Sequence, residues 1–178
     1  MTGDKKPLSA IFFLILLSII TQGILPVSGA VYSINGSSID AGMLYEVIGA
    51  DPSLLSGDLP PGTVVFFWNT HCGGCHAAWE FLHEFLPLHR EVELRDYNVY
   101  SSPVNRTVFD RYKERYNRSH LYVPSMMVGN LTLEGTQDIT DHLGRLLELQ
   151  QEKQKPKDIY SELLVLIQNL MSFDHSGR

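Results

Sequence analysis

Cys72 and Cys75 are the only cysteines in the 178-residue chain, and two glycines separate them. Two thiols at this spacing can close on each other or take turns on a third sulfur. The nucleophile in such chemistry is the thiolate, so one of the two must give up its proton easily. The other must then reach the same sulfur and break the bond that the first has made. Cys72 is the candidate nucleophile and Cys75 the candidate resolving thiol. Gly73 and Gly74 add little bulk, which leaves room for an approaching chain.

The flanking residues say how the pair must be held. Thr63-Val64-Val65-Phe66-Phe67-Trp68 is an apolar, β-rich run and predicts a buried strand. Asn69-Thr70-His71 follows, then the cysteine pair, then His76 to Phe85. In that last stretch Ala78, Phe81, Leu82 and Phe85 share one helical face. The cysteines therefore sit where a helix begins. Unpaired N–H groups and the positive end of the macrodipole stabilise a thiolate there. Strand, Cys-x-x-Cys, helix is the layout of a dithiol redox site.

Val-Val-Phe-Phe-Trp running into Cys-Gly-Gly-Cys resembles the thioredoxin superfamily. Val123-Pro124-Ser125 is similar to that family's cis-proline loop. Met126-Met127-Val128, a Gly129-Asn130 turn, Leu131-Thr132-Leu133 and then Glu134-Gly135 before a helix resemble its closing hairpin and last helix. The likeness runs from about Val31 to Gln154. It implies an α/β, thioredoxin-like domain, with a central mixed β-sheet flanked by helices. It also implies that Val123 and Pro124 lie against the dithiol and present backbone to a bound substrate chain. The activity implied is thiol–disulfide exchange on proteins bearing thiols or disulfides. No organic cofactor is required, and an unidentified redox partner recycles the pair. Three positions depart from the family pattern. Phe66 stands six residues before Cys72, where many members carry a buried acid. His71 replaces a frequent Trp, and Gly-Gly replaces a frequent Gly-Pro. His71 and His76 flank the pair and are candidates for tuning the thiolate.

Other readings compete. Cys72-Gly-Gly-Cys75-His76 also satisfies the attachment motif of c-type haem, with His76 as axial ligand and electron transfer as the function. The apolar strand directly before the motif and the Val-Pro stretch after it favour the dithiol. His71, Cys72, Cys75 and His76 carry two nitrogens and two sulfurs, but zinc sites of this type use separated ligand pairs, so no metal is assigned. A third reading is a non-catalytic binding module that keeps the fold and a static disulfide. A two-residue spacer closes too small a loop to gain much stability, which argues for redox use.

The remaining chain supplies the frame. Val31 to Ile34 predicts a short strand and Asn35-Gly36 a turn. Asp40 predicts the cap of a helix to Ile48. Asp51-Pro52 and Gly57 to Gly62 read as loops. Pro87 ends or kinks the dithiol helix. Val92 to Val99 predicts a strand, and Pro103 to Tyr116 a helix with Val104, Val108, Phe109 and Tyr112 turned inward. Gln137 to Gln150 predicts another amphipathic helix, and Lys153 to Lys157 a linker. His83, His89, His120, His142 and His175 read as surface residues. Trp68 and Trp79 read as packing around the active-site layer. Of Met126 and Met127, one is expected to be buried, and the other is open between burial and a substrate groove. Strands alternating with helices imply a sheet covered on both faces.

Residues 1–30 lie outside this domain. Lys5 and Lys6 precede a nearly unbroken apolar run from Leu8 to Ile20, and Ser28-Gly29-Ala30 offers a small-residue cleavage site. That is a signal peptide or an N-terminal membrane anchor. Either places the domain outside the cytoplasm, with a membrane tether in the second case. Asn35, Asn105, Asn117 and Asn130 each begin an Asn-x-Ser/Thr triplet and are candidate glycosylation sites in an exported chain. Residues 155–178 read as a linker and a C-terminal helix, with Ile159, Leu163, Leu166, Ile167 and Leu170 on one stripe, expected to dock on the domain. A net charge of −6 gives no sign of nucleic-acid binding.

Overall fold

The computed structural model describes residues 30–155. The leader, anchor and cleavage readings for residues 1–29 and the C-terminal helix from Ile159 fall outside the described residues, as does His175. β1 (Ala30–Ser33) turns through Asn35-Gly36 into β2 (Ser38–Ile39). Gly36 takes φ 85 in that turn, a value that favours glycine. The Asp40 carboxylate accepts from Gly42 N and caps a 3-10 turn, Ala41–Met43, which runs into α1 (Leu44–Ala50). β3 (Thr63–Trp68) leads to α2 (Gly73–Phe85), and β4 (Glu93–Asn98) to α3 (Pro103–Arg115). β5 (Ser125–Val128) and β6 (Leu131–Glu134) form a hairpin before α4 (Thr136–Gln154).

Among the described residues the strands make one six-stranded sheet, ordered β2-β1-β6-β5-β3-β4. β3 and β4 are parallel, and the other pairings are antiparallel. Strand residues alternate between faces, so each strand feeds two cores. Phe66, Met126, Leu133 and Val31 stand opposite one another across β3, β5, β6 and β1. All four are buried in the core that also takes Ala78 and Leu82 of α2 and Ile139, Leu143 and Leu146 of α4. Val65, Phe67 and Met127 face the other way, onto Val108, Phe109 and Tyr112 of α3. Because β3 is covered on both sides, its sequence is apolar throughout rather than alternating. This is a thioredoxin-like α/β fold, a mixed sheet between helical layers.

Four expectations are corrected. Asp51-Pro52 does not open an irregular loop. Pro52–Leu55 is a 3-10 turn capped by Asp51, whose carboxylate accepts from Ser53 N, and it buries Leu54 and Leu55. Val104 is 70% exposed, because helical spacing sets the side of the helix and not whether the sheet reaches under its first turn. Lys153 is helical rather than linker. Its ammonium donates to the Pro52 carbonyl at 2.9 Å and to the Ser56 hydroxyl at 2.7 Å, which ties the last turn of α4 to the domain. The His142 side chain is only 12% exposed, since α1 packs over it. Its Nδ1 lies 3.0 Å from the Tyr45 hydroxyl. The choice left open for Met126 and Met127 falls to burial: both are buried, on opposite faces of the sheet. No helix of the described residues is long and apolar enough to cross a membrane.

Candidate active site

Cys72 is the N-cap residue of α2. Its backbone is extended, φ −106 and ψ 111, and its sulfur accepts from Cys75 N at 3.1 Å. A sulfur thus takes the place a Ser or Asp oxygen usually fills at a cap. The strand-to-helix connection is stapled from several directions. The Asn69 carbonyl accepts from Cys72 N at 3.2 Å, and the Asn69 side chain accepts from His71 N at 2.8 Å. Asn98 Nδ2 donates to the Thr70 hydroxyl at 2.6 Å, and Val99 N to the Trp68 carbonyl at 2.9 Å. β4 therefore holds the loop that presents the cysteines.

Cys72 and Cys75 are joined as a disulfide, with Cα atoms 5.2 Å apart. The two sulfurs differ in access. Cys75 is completely buried, whereas Cys72 is partly exposed. An external sulfur can therefore meet Cys72 before Cys75. The Val123–Pro124 peptide bond is cis. The Val123 carbonyl oxygen lies 3.6 Å from Cys72 Sγ, so these two residues do face the dithiol. Gly135 N donates to the Pro124 carbonyl at 2.8 Å and fastens the loop to the start of α4. At Gly74 a Cβ would stand 3.1 Å from the Thr136 hydroxyl and 3.6 Å from Pro124 Cδ, so a small residue lets the three elements close up.

Phe66, six residues before Cys72, is fully buried and edge-on to Trp79 with ring centroids 5.3 Å apart. Trp79 in turn meets Trp68 edge-on at 5.6 Å. His71 is exposed and its ring stands edge-on to Tyr100 at 4.4 Å. The His76 ring nitrogen lies 2.8 Å from the Thr70 carbonyl, so this histidine braces the loop before the cysteines. A haem bonded to both sulfurs would have to reach a fully buried Cys75 and would have to release His76 from the Thr70 carbonyl. The geometry thus favours the dithiol. Among the described residues no three His, Cys, Asp or Glu side chains gather as a metal site.

Two acids near this end of the sheet gave no signal in the sequence. The Glu134 carboxylate accepts from Tyr122 N at 2.8 Å. Burial pushes its carboxyl up, while the Tyr122 N–H and the Arg118 guanidinium pull it back. Asp138, in the first turn of α4, is buried, and its Oδ2 has no hydrogen-bond partner. Burial raises this carboxyl too, against the pull of His142. Only strand pairing and helix docking give these residues their surroundings, and no local pattern marks them.

The four glycosylation candidates differ in setting. Asn105 Nδ2 donates to the Asn98 carbonyl, Asn117 Nδ2 to the Asn35 carbonyl and Asn130 Nδ2 to the Ser53 carbonyl. Asn35 is exposed, and its Oδ1 accepts from Ser37 N at 2.9 Å.

No family model matches the chain, and no curated protein matches it. Among solved structures it is similar to thioredoxin f2 of Chlamydomonas reinhardtii, at 16% identity over 67% of this chain and 96% of that one, with a TM-score of 0.37. The fold is carried instead by the strand order, the paired cysteines at the helix N-terminus and the cis-proline facing them.

Proposed function

We propose that this chain is a thiol–disulfide oxidoreductase of exported proteins. The observation that carries the reading is the meeting of a partly exposed Cys72, a buried Cys75 and the Val123 carbonyl 3.6 Å from Cys72 Sγ. As an oxidant, a substrate thiolate attacks Cys72 Sγ. The Cys72–Cys75 bond breaks, and Cys75 leaves with the electron pair. A second substrate thiolate then attacks the substrate sulfur of the mixed disulfide. The substrate gains a disulfide, and Cys72 departs as a thiolate. As a reductant the same steps run backwards: the Cys72 thiolate opens a substrate disulfide, and Cys75 displaces the substrate. Protons are exchanged with solvent. A redox partner bearing a dithiol or disulfide restores the starting state.

The helix N-terminus serves both directions by stabilising negative charge on Cys72, and the N–H of Cys75 already points at that sulfur. The Val123–Pro124 backbone offers an edge on which an extended substrate can lie beside the reacting sulfur. The exported setting rests on the N-terminal sequence, with a cleaved leader or a membrane tether as its two forms. In that setting Asn35 is the preferred acceptor for a glycan. It is exposed, and its Nδ2 meets no acceptor among the described residues. The test of function is direct. Purified protein is assayed for reduction of insulin with a thiol donor and for oxidation of a reduced dithiol peptide. Turnover in either direction supports the proposal. No turnover in both, with the disulfide intact, replaces it with a binding module.

A further inference from the structure

Between Tyr116 and Ser125 the chain crosses from the end of α3 to the start of β5 without a helix or strand of its own. Its last residues are the ones that face Cys72. Such a segment keeps its place only where its backbone groups find partners. The Pro124 carbonyl has Gly135 N. The Tyr122 N–H lies one residue before the Val123–Pro124 pair, and it has no backbone acceptor. It donates to Glu134 Oε2 at 2.8 Å.

Glu134 is well placed to hold this point. It is the last residue of β6, and its backbone stands opposite Ser125, the residue after Pro124. The same residue therefore pins the chain on one side of the Val123–Pro124 pair through the sheet, and on the other side through its carboxylate. Tyr122 is exposed and the bond is open to water, but a hydrogen bond to a charged acceptor is stronger than one between neutral groups.

We propose that Glu134 is the positioning residue for the substrate-binding backbone at Val123–Pro124, holding it in register with Cys72 Sγ through the Tyr122 N–H. The role rests on the disulfide-exchange reading above. Glu134 touches neither sulfur, and its work is to fix where the substrate chain lies. Glu134→Gln keeps an oxygen acceptor for Tyr122 N. Glu134→Leu keeps the bulk and removes the acceptor.

The experiment compares the wild-type chain with both variants, each first shown to melt cooperatively. Kinetics are measured with a disulfide-containing peptide and, separately, with glutathione disulfide, which is too small to need an extended backbone edge. The expected result for Glu134→Leu is a KM for the peptide raised about three- to tenfold, the factor one net hydrogen bond carries. Its kcat and its rate with glutathione disulfide stay within about twofold of wild type, because the chemistry at Cys72 is untouched. Glu134→Gln, which keeps a neutral acceptor, returns the peptide KM most of the way to the wild-type value. An unchanged peptide KM in a folded Glu134→Leu variant overturns the assignment. So does an equal loss with peptide and glutathione disulfide, which would mean that the dithiol itself had been distorted. If Glu134→Leu does not fold, Glu134→Ser, too short to reach Tyr122, gives the same comparison. A wild-type chain that turns over no peptide overturns the exchange reading itself, and the positioning role with it.

Discussion

The Thr136 hydroxyl donates to the Gly74 carbonyl oxygen at 2.7 Å, across 62 residues of sequence. This bond ties the first turn of α4 to the first turn of the dithiol helix. Thr136→Val keeps the shape and removes the donor. The expected cost is about 0.5–1.5 kcal/mol, read from the denaturant midpoint, with the midpoint slope unchanged. A variant as stable as wild type would show that helix packing alone sets this junction.

Mixed-disulfide trapping separates the two cysteines. Cys75→Ser blocks resolution, so substrate proteins should accumulate on Cys72 and be released by reductant. Cys72→Ser should capture few, because Cys75 is buried. Equal capture by the two variants would undo the assignment of nucleophile and resolving thiol.

The packing of Phe66 makes that position intolerant of change. It is fully buried against Trp79. Phe66→Ala should destabilise the domain by about 3–5 kcal/mol through lost contacts and the cavity left behind. Thermal unfolding checks this. A loss below about 1 kcal/mol would show that the aromatic layer collapses into the space.

The same position bears on redox poise. Without a carboxylate at Phe66, no negative charge from there opposes a thiolate at Cys72, and the Cys75 N–H favours one. A stabilised thiolate makes the disulfide a stronger oxidant. The expected reduction potential lies above that of thioredoxin, about −270 mV. Equilibration against glutathione buffers measures it, and a value at or below that figure removes the argument for an oxidising pair.

Asp138 makes stability depend on pH in a stated direction. Burial raises its carboxyl above the ordinary range, so between the unfolded and folded values the native state holds the extra proton. The slope of stability with pH is then negative for this group. Its contribution is most favourable below about 3.9, the unfolded value, and is lost as pH rises through the folded one. Asp138→Asn should therefore raise stability at pH 7 relative to wild type, and the gain should shrink on acidification. A gain that is constant with pH would exclude the carboxyl as its source.

Sequence pattern revealed the elements that are local. Thr63–Trp68, the cysteine pair and the helix after it form one continuous stretch, and apolar content with helical spacing sufficed to place them. Pro124 was found through a three-residue resemblance, Val123-Pro124-Ser125, and the fold brought it to Cys72. What escaped depends on distant partners. Ser38–Ile39 is a strand only because β1 lies beside it. His142 looked like a surface residue until α1 covered it. Glu134 and Thr136 carry no motif, and their roles exist only once β6 and α4 are docked. Val104 had the right spacing, but no neighbour lies beneath it.

α4 also separates the two ends of the described chain. Its first turn lies at Gly74, and its last is fastened to Pro52 and Ser56. From Thr136 to Lys153 the helix rises about 1.5 Å per residue, which sets these points roughly 26 Å apart. Ala30, by contrast, pairs with Glu134 at the dithiol end of the sheet. A bead attached at Lys155 itself would thus leave Cys72 open to large proteins in solution. The same bead attached at Ala30 itself would hold the cysteines near its own surface and favour partners immobilised there.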